Sequence, residues 1–480
     1  MESDIGVIGL GVMGTSLARN IESRGYRVSV FNRPHSGRED KIGAFESKFG
    51  KSNFFATDNL EKFVQSLSKP RKILLMVKAG AAVDEVIGEL IPMLSKSDII
   101  IDGGNSDFQD TYRRLKLLEE KGLLYVGMGV SGGEQGALNG PSIMASGSAR
   151  AWEEIGKIFL AIAARADDGA PCCLWTGPEG SGHFVKTVHN AIEYGDMQLI
   201  GEAYFILRKC AGLDNGEISG IFGEWNRGKL GGYLLEITSK ILSAKAPDGG
   251  YIVDKILDCA SQKGTGKLAL KTAVDENVPF GLIAQAVFAR FASARLQERE
   301  KAAKLYPDAS APDSAAKISP SDIEDALYAS KIMSYAQGFS LMRSVSMERK
   351  WNLDLAAVAR VWRNGSIIRS VFLDRIARAY ESDAELENMI FDGYFADAMR
   401  GGIERLRKAA CLAMERGCPV PCMAAALSDF DSMRTLHSSA GLIQAQRDYF
   451  GAHTYERIDS PRGKFFHTDW ACLEAEKNGE

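Results

Sequence analysis

The sequence predicts a doubly wound α/β domain, followed by a large all-α domain and a C-terminal tail. Up to about residue 175, short apolar runs alternate with amphipathic stretches, a pattern typical of a parallel sheet covered by helices. After the Gly/Pro-rich stretch 177–182, strand signals almost vanish and helix-period segments continue to about residue 435. We therefore expect three parts, with boundaries at 1–178, 179–440 and 441–480.

The composition narrows the class of protein. In 480 residues, 58 basic and 62 acidic side chains give a net charge of −4, so no overall field attracts nucleic acid or an anionic membrane. No apolar run is long enough to span a membrane, and the N-terminus does not look like a signal segment. Eight cysteines are too sparse for a disulfide framework, which favours reduced thiols. We expect a cytoplasmic protein.

The individual elements follow from the apolar periodicity. We predict strands at 5–8, 28–31, 73–77, 99–102 and 124–126, and helices at 15–24, 83–94 and 110–121. The tail carries six aromatic residues in its last 40 positions with neither a helical nor an alternating period. Such a segment is expected to dock, either on its own domain or on a partner subunit.

The first predicted strand is followed by a Gly-x-Gly-x-x-Gly motif at Gly9, Gly11 and Gly14. In a Rossmann-type domain the first glycine makes a tight turn, the second lets the backbone approach a pyrophosphate, and the third allows helix–strand packing. The helix that follows offers unpaired N–H groups to the phosphates. The alternative is a glycine-rich turn without a ligand.

The second predicted strand ends in Asn32-Arg33. A cofactor without a 2′-phosphate usually meets Asp or Glu here, whereas a 2′-phosphate is bound by Arg. Arg33 therefore favours NADP over NAD, unless it is a solvated surface residue.

One helix of the second domain carries an unusual polar stripe. Its members stand at i, i+3, i+4, i+7 and i+8, which is one continuous helix face; they are Lys186, His189, Asn190, Glu193 and Tyr194. The opposite face is apolar, so the stripe is either solvated or lines a cleft. A lysine and a carboxyl group within two turns can serve as general base and general acid. The sequence shows no His/Asp/Glu cluster with ligand spacing, so we expect no metal.

With these motifs, the chain resembles the 6-phosphogluconate dehydrogenase family, the decarboxylating enzymes of the pentose phosphate pathway. The resemblance covers essentially the full length and keeps the same order of segments: 9–14, 32–33, 77–80, 102–106, 127–133, 136–141, 186–194, 263–266 and 447–451. It implies oxidative decarboxylation of 6-phosphogluconate to ribulose 5-phosphate with reduction of NADP. It also implies a homodimer in which the tail reaches the other subunit.

The resemblance implies a role for individual residues. Lys186 would be the general base and Glu193 the general acid. Cofactor-binding positions would be Gly9, Leu10, Gly11, Val12, Met13, Gly14, Asn32, Arg33, Val77, Lys78, Ala79 and Asn105. The sugar-acid end of the substrate would meet Asn105, Ser131, Gly132, Gly133, His189 and Asn190, and its phosphate Tyr194, Lys263, Thr265, Arg290, Arg447 and His453.

Two positions depart from the family pattern. Pro34 stands where the family commonly has Thr or Ser, and it cannot donate a hydrogen bond to a 2′-phosphate. Leu268 stands where the family has Trp, which we expect to alter loop packing rather than chemistry. Two rival interpretations remain: another β-hydroxyacid dehydrogenase acting on a small unphosphorylated acid, and a catalytically silent sensor that binds NADP or a sugar phosphate.

Overall fold

The computed structural model describes residues 2–34, 40–50, 53–307 and 318–470. They form two compact units, which we call the large unit, up to residue 426, and the small unit, from residue 427 on. The predicted three-part division remains a prediction.

The large unit begins with an eight-stranded sheet in the order β3-β2-β1-β4-β5-β6-β7-β8. The strands are β1 Ile5–Ile8, β2 Val28–Phe31, β3 Phe54–Thr57, β4 Lys72–Leu75, β5 Ile99–Asp102, β6 Leu124–Ser131, β7 Ser142–Gly147 and β8 Cys173–Gly177. The first six strands are parallel in the Rossmann order 3-2-1-4-5-6. Apolar clusters cover both faces of the sheet, which is why its central strands consist almost entirely of buried aliphatic residues.

The expectation of a parallel sheet is wrong for the last two strands. β7 runs antiparallel to β6, and β8 is parallel to β7. The connection from β6 to β7 contains only the seven-residue helix Gly133–Asn139. A crossover between parallel strands needs a dozen or more residues, so a connection this short has to lead into an antiparallel strand.

Among the described residues, seven helices connect the strands of the sheet: α1 Val12–Ser23, α2 Lys41–Phe49, α3 Leu60–Gln65, α4 Ala81–Leu90, α5 Phe108–Glu120, α6 Gly133–Asn139 and α7 Ala149–Ile162. Three of them were predicted, and α1 begins three residues earlier than expected because Gly11 already serves as its N-cap. The predicted strands at 5–8, 28–31 and 99–102 have the observed bounds. The strand predicted at 73–77 is shifted to Lys72–Leu75, and the one at 124–126 continues to Ser131.

The rest of the large unit is helical in the residues described, as predicted. The helices are α8 Ser181–Lys209, α9 Asn215–Trp225, α10 Tyr233–Ser243, α11 Thr265–Asp275, α12 Gly281–Ser293, α13 Leu296–Leu305, α14 Pro320–Arg349, α15 Leu355–Val361, α16 Leu373–Ser382 and α17 Gly393–Glu415. A further helix, α18 Pro421–Arg434, begins in the large unit and ends in the small unit. Short 3₁₀ turns occur at Ile91–Met93, Ile252–Lys255 and Met389–Phe391. α8 packs against β6, β7, α11, α12 and α14, so it lies at the centre of the unit.

The small unit contains α19 Ala440–Gly451 and a two-stranded antiparallel ribbon of β9 Tyr455–Glu456 and β10 Phe465–Phe466. The sequence had indicated no period here, so this helix is a correction. Asp448 organises the segment: its buried carboxylate accepts hydrogen bonds from the backbone of Thr454 and Thr468 and from the rings of His467 and Trp470. Although burial opposes it, these hydrogen bonds lower the pKa of Asp448 to about 2. A short folded segment is thus stabilised by one polar centre.

Candidate active site

The predicted nucleotide loop has the backbone geometry that a pyrophosphate requires. Gly9 lies at φ +101°, a conformation that disfavours other residues, and a Cβ atom at Gly14 would lie 2.0 Å from the carbonyl oxygen of Gly9. At Gly11, by contrast, a Cβ would meet no atom within 4 Å, so this face is open. α1 has no side-chain cap, which leaves its first N–H groups available. Leu10 and Met13 pack toward the core, whereas Val12 is exposed. The loop therefore fits a dinucleotide.

Asn32 and Arg33 follow β2 at the edge of the sheet where the nucleotide loop follows β1. The Asn32 side chain accepts a hydrogen bond from the Leu10 backbone at 3.0 Å, so it holds the nucleotide loop in place. Arg33 is half-exposed, and its guanidinium lies 2.8 Å from Glu89 and 3.7 Å from Glu85, both on α4. No local sequence pattern indicated these carboxylates. A 2′-phosphate would have to compete with them for Arg33.

The other predicted cofactor residues lie in two loops after β4 and β5. Val77 and Ala79 are partly buried, whereas Lys78 and Asn105 are exposed. Both loops are fixed by a fully buried arginine, Arg114 of α5. Its guanidinium donates to the Gly80 carbonyl oxygen at 3.0 Å, pairs with Asp84, and reaches Asp102 at 3.4 Å. The structure thus brings the two loops together at the carboxyl edge of the sheet.

The polar stripe of α8 is buried and not solvated. Lys186 Nζ donates to Asn190 Oδ1 and lies 3.3 Å from His189 Nδ1, while Glu193 Oε2 lies 3.9 Å from the same nitrogen. The His189 side chain is fully inaccessible, Lys186 is nearly so, and Glu193 is 24% exposed. Lysine, imidazole and carboxyl therefore form one group within two helical turns.

Burial sets the protonation of this group. Desolvation lowers the pKa of Lys186 to about 8, against the opposing charge of Glu193. Desolvation raises the pKa of Glu193, against the charges of Lys186 and Arg290. Desolvation, with the neighbouring Lys186, holds the pKa of His189 well below its usual range, so the imidazole is neutral. The lysine and the carboxyl group are both shifted toward their neutral forms, as a base and an acid require.

The end of β6 lies directly against α8. A Cβ at Gly129 would be 2.4 Å from the Cβ of Lys186, so only glycine permits this approach. The Ser131 hydroxyl lies 3.0 Å from His189 Nε2. Gly132 and Gly133 follow with φ of +118° and +60°, and Gly133 is exposed. The predicted Ser-Gly-Gly segment is therefore next to the lysine and histidine of α8.

A second group of predicted residues lies one turn further along α8. The Arg290 guanidinium stacks on the Tyr194 ring at 3.8 Å and donates to the Ser261 carbonyl oxygen at 3.1 Å. Thr265 begins α11, whose Gly266 packs on the same ring, and Lys263 is exposed just before it. Leu268, on the same helix, is partly buried.

The last two predicted residues belong to the small unit. Arg447 is exposed and donates to Gln444 at 3.1 Å, and His453 is also exposed, with its ring 5.9 Å from that of Phe450.

The structure adds residues that the sequence did not indicate. Ser366, between α15 and α16, is buried with its hydroxyl 2.8 Å from His189 Nε2. One turn beyond Glu193, Asp196 forms a buried ion pair with Lys331 of α14 at 2.7 Å. Asp196 shares the stripe's helix and could have been found from its spacing, whereas Ser366 is 177 positions away from His189 and carries no local signal.

Across the described ranges, no group of three or more His, Cys, Asp and Glu side chains is arranged to hold a metal ion. Nor does the part of the chain that the structure covers contain a helix long and apolar enough to cross a bilayer. Seven cysteines are described, and all are free thiols.

A Rossmann sheet with an open phosphate loop, joined to a buried lysine and carboxyl group, defines a dinucleotide-dependent dehydrogenase. The NAD binding domain of 6-phosphogluconate dehydrogenase matches residues 4–177, and the C-terminal domain of the same enzyme matches residues 182–470. The chain belongs to the 6-phosphogluconate dehydrogenase family.

Individual relatives are similar over almost the whole chain. A decarboxylating 6-phosphogluconate dehydrogenase of Lactococcus lactis is 49% identical over 98% of this chain and 99% of its own. The NADP(+)-dependent, decarboxylating enzyme of Bacillus subtilis is also 49% identical with the same coverage. The 6-phosphogluconate dehydrogenase of Plasmodium falciparum, solved in its apo form and with NADP+ or 6-phosphogluconate, matches with a TM-score of 0.92 and 40% identity over 97% of this chain and 100% of that one.

Proposed function

We propose that this chain oxidises and decarboxylates 6-phosphogluconate to ribulose 5-phosphate and carbon dioxide while reducing NADP. The observation that carries the proposal is the buried group of Lys186, His189 and Glu193 on α8. It lies against the carboxyl end of β6, in a chain of the 6-phosphogluconate dehydrogenase family. Bound NADP supplies the hydride acceptor for the substrate's C3 carbon. The residues that would hold it are those of the nucleotide loop, Asn32, Arg33, Val77, Lys78, Ala79 and Asn105.

Lys186 is the proposed base. Its lowered pKa means that an appreciable fraction of the side chain is a neutral amine near neutral pH, able to take the proton of the C3 hydroxyl. Loss of that proton and of the hydride leaves a β-keto acid. Such an acid loses carbon dioxide once the ammonium of Lys186 returns a proton to the keto oxygen, so the step needs no metal.

Glu193 is the proposed acid. Decarboxylation leaves an enediol, and a proton must be delivered to the carbon that lost the carboxyl group. Burial raises the pKa of Glu193, against the charges of Lys186 and Arg290, so this side chain is more readily protonated than a Glu in water. Its 24% exposure also leaves room for contact with a substrate.

The substrate carries a carboxylate at one end and a phosphate at the other, so it needs separate anchors. For the sugar-acid end we propose Asn105, Ser131, Gly132, Gly133, His189 and Asn190, and for the phosphate Tyr194, Lys263, Thr265, Arg290, Arg447 and His453. The stacking of Arg290 on Tyr194 supports the second group, because it holds a guanidinium in one orientation beside α8.

The test is a turnover assay with purified protein, 6-phosphogluconate and NADP, following reduced cofactor and carbon dioxide together. We expect equal amounts of both products. Gluconate without its phosphate is the matched control and should react far more slowly. Turnover of small unphosphorylated hydroxyacids at a similar rate would favour the other β-hydroxyacid dehydrogenases. Tight binding of 6-phosphogluconate without turnover would favour a sensor.

We predict that Arg33→Met weakens NADP binding by about 1.5–3 kcal/mol, the contribution of a hydrogen bond to a charged group. NAD binding should change by less than about 0.5 kcal/mol, because NAD lacks the 2′-phosphate. Dissociation constants from calorimetry provide the measurement, and Arg113→Met, another arginine paired with carboxylates at the surface, is the control. Equal losses for both cofactors would show that Arg33 does not distinguish them.

The cytoplasmic homodimer expected from the sequence also belongs to this proposal, with Arg447 and His453 completing the partner's site. We predict that Lys186→Met and Arg447→Ala, each inactive alone, regain activity when their subunits are mixed. A heterodimer would then hold one site with both residues intact. About a quarter of parental activity is expected, since half the dimers are mixed and half their sites are intact. Subunit exchange is verified by mass. Complete exchange without activity would mean that the tail serves its own subunit.

A further inference from the structure

Ser366 lies in the segment Trp362–Ile368 between α15 and α16, which closes over the histidine of α8. The Trp362 ring packs edge-on against His189 with the ring centroids 5.6 Å apart. The hydroxyl of Ser366, fully buried, lies 2.8 Å from His189 Nε2 and accepts the backbone N–H of Ile368 at 3.1 Å.

The hydrogen bonds around His189 select one of its two neutral tautomers. On the Nε2 side are two hydroxyls, Ser366 and Ser131, and each already accepts a backbone N–H from the same segment. Within the described residues, neither hydroxyl has another acceptor for its own proton. If Nε2 carries its lone pair, it can accept the proton of either hydroxyl, whereas if Nε2 carries hydrogen it can accept neither.

The opposite nitrogen then has to carry the hydrogen. Nδ1 lies 3.1 Å from Asn190 Oδ1, an acceptor, so an Nδ1–H donates there. Lys186 Nζ, 3.3 Å from Nδ1, consequently faces a donor and not a lone pair. An N–H donor beside Lys186 Nζ favours the neutral amine of this lysine over its ammonium form.

We propose that Ser366 is a positioning residue: its hydroxyl holds His189 as the Nδ1–H tautomer, and this tautomer keeps Lys186 available as a base. The inference rests on the proposed function. In the free protein the Ser131 hydroxyl also favours the Nδ1–H tautomer of His189, but Ser131 is a proposed ligand of the substrate carboxylate. Once Ser131 turns to the substrate, Ser366 alone holds the tautomer, so its effect should be confined to the substrate complex.

The charged groups around this site come from three helices. Glu193 faces Lys186 from α8, Arg290 of α12 lies next to Glu193, and Asp196 with its partner Lys331 of α14 lies one turn further. The groups contributed by β6 and by the segment Trp362–Ile368, which are Ser131, Ser366 and Trp362, are uncharged. Replacing Ser366 therefore leaves all of these charges unchanged.

The first measurement is the tautomer itself, by ¹⁵N NMR of protein with labelled histidine. The chain has 6 histidines, and the signal absent from His189→Asn is that of His189. We expect Nδ1–H in the free parent protein and in its binary complex with 6-phosphogluconate, without NADP and hence without turnover. In the same complex of Ser366→Ala we expect an Nε2–H signal. Nε2–H in the free parent protein would overturn the inference, whether or not the protein turns over 6-phosphogluconate.

The second measurement is the pH dependence of kcat, which reports the substrate complex. In Ser366→Ala the acid-side apparent pKa should rise by about 0.5–1, and kcat at pH 7 should fall about fivefold, the effect of one hydrogen bond on Lys186. The matched control is Ser142→Ala, because the buried Ser142 hydroxyl bonds the Val361 carbonyl next to the same segment at 2.7 Å without touching His189. An unchanged profile in Ser366→Ala, or the same shift in Ser142→Ala, would overturn the inference.

Discussion

Lys186→Met is expected to abolish turnover of 6-phosphogluconate, by at least about 10³-fold in kcat, within the range seen when a positioned acid or base is removed. NADP should still bind with nearly parental affinity, because its proposed site is built on the sheet and not on α8. The measurement combines initial rates of NADPH formation with calorimetric titration of NADP.

Lys186→Arg separates two explanations of that loss. Arginine keeps a positive charge near a bound carboxylate but does not lose its proton at neutral pH. Because arginine stays protonated, it cannot replace a lysine that acts as a base, so we expect Lys186→Arg to be as inactive as Lys186→Met. Recovery of more than about a tenth of parental activity in the arginine variant would assign Lys186 to substrate binding instead.

The shifted pKa values also predict the pH dependence of the parent enzyme. Lys186 has to be neutral to accept a proton, and the fraction of this side chain that can act as the base rises with pH through its pKa of about 8. Glu193 has to be protonated, and the fraction of this side chain that can act as the acid falls once the pH exceeds its raised pKa. The profile should be bell-shaped, and Glu193→Gln, which cannot ionise, should remove the alkaline limb from whatever activity remains. An alkaline limb that persists in Glu193→Gln would contradict this assignment.

Local sequence patterns were enough to predict the elements of the fold whose formation depends on residues close in sequence. Ile5–Ile8 and Ile99–Asp102 are buried on both faces, so each appears in the sequence as an uninterrupted apolar run. The stripe of α8 was predicted because helical spacing alone places its residues on one face. The reversal of β7 was not, because the antiparallel pairing of Ser131 with Ser142 depends on the length of a connection and not on the residues of either strand.

The environment of the predicted residues was harder to foresee. The strand that precedes Arg33 was predicted, but the contacts of Arg33 with Glu85 and Glu89 depend on the position of α4 in the fold. The same holds for Ser366 and His189, which only the folded chain brings within 2.8 Å. Sequence motifs thus indicated the candidate groups, whereas the neighbours of these groups are determined by packing.

The buried ion pair between Asp196 and Lys331 is expected to give the largest effect on stability. Asp196 Oδ2 accepts from Lys331 Nζ at 2.7 Å and from the Tyr335 hydroxyl at 3.2 Å, and both ionic side chains are almost inaccessible. Lys331→Met would leave a carboxylate buried without its cation. Removing one member of such a pair costs about 3–5 kcal/mol of the free energy of unfolding, because the remaining charge keeps its full desolvation penalty.

Replacing both members of the ion pair separates the effect of their charges on stability from the effect of the volume that their side chains fill. In Asp196→Leu combined with Lys331→Met no charge remains buried, so most of the lost stability should return. Arg400→Met, which removes a cation from an exposed pair with Asp397, is the control and should cost less than about 1 kcal/mol. Urea unfolding followed by tryptophan fluorescence gives the comparison. If Lys331→Met is no less stable than Arg400→Met, the ion pair between Asp196 and Lys331 does not hold α8 to α14. The buried carboxylate of Asp196, one turn from Glu193, would then need another explanation.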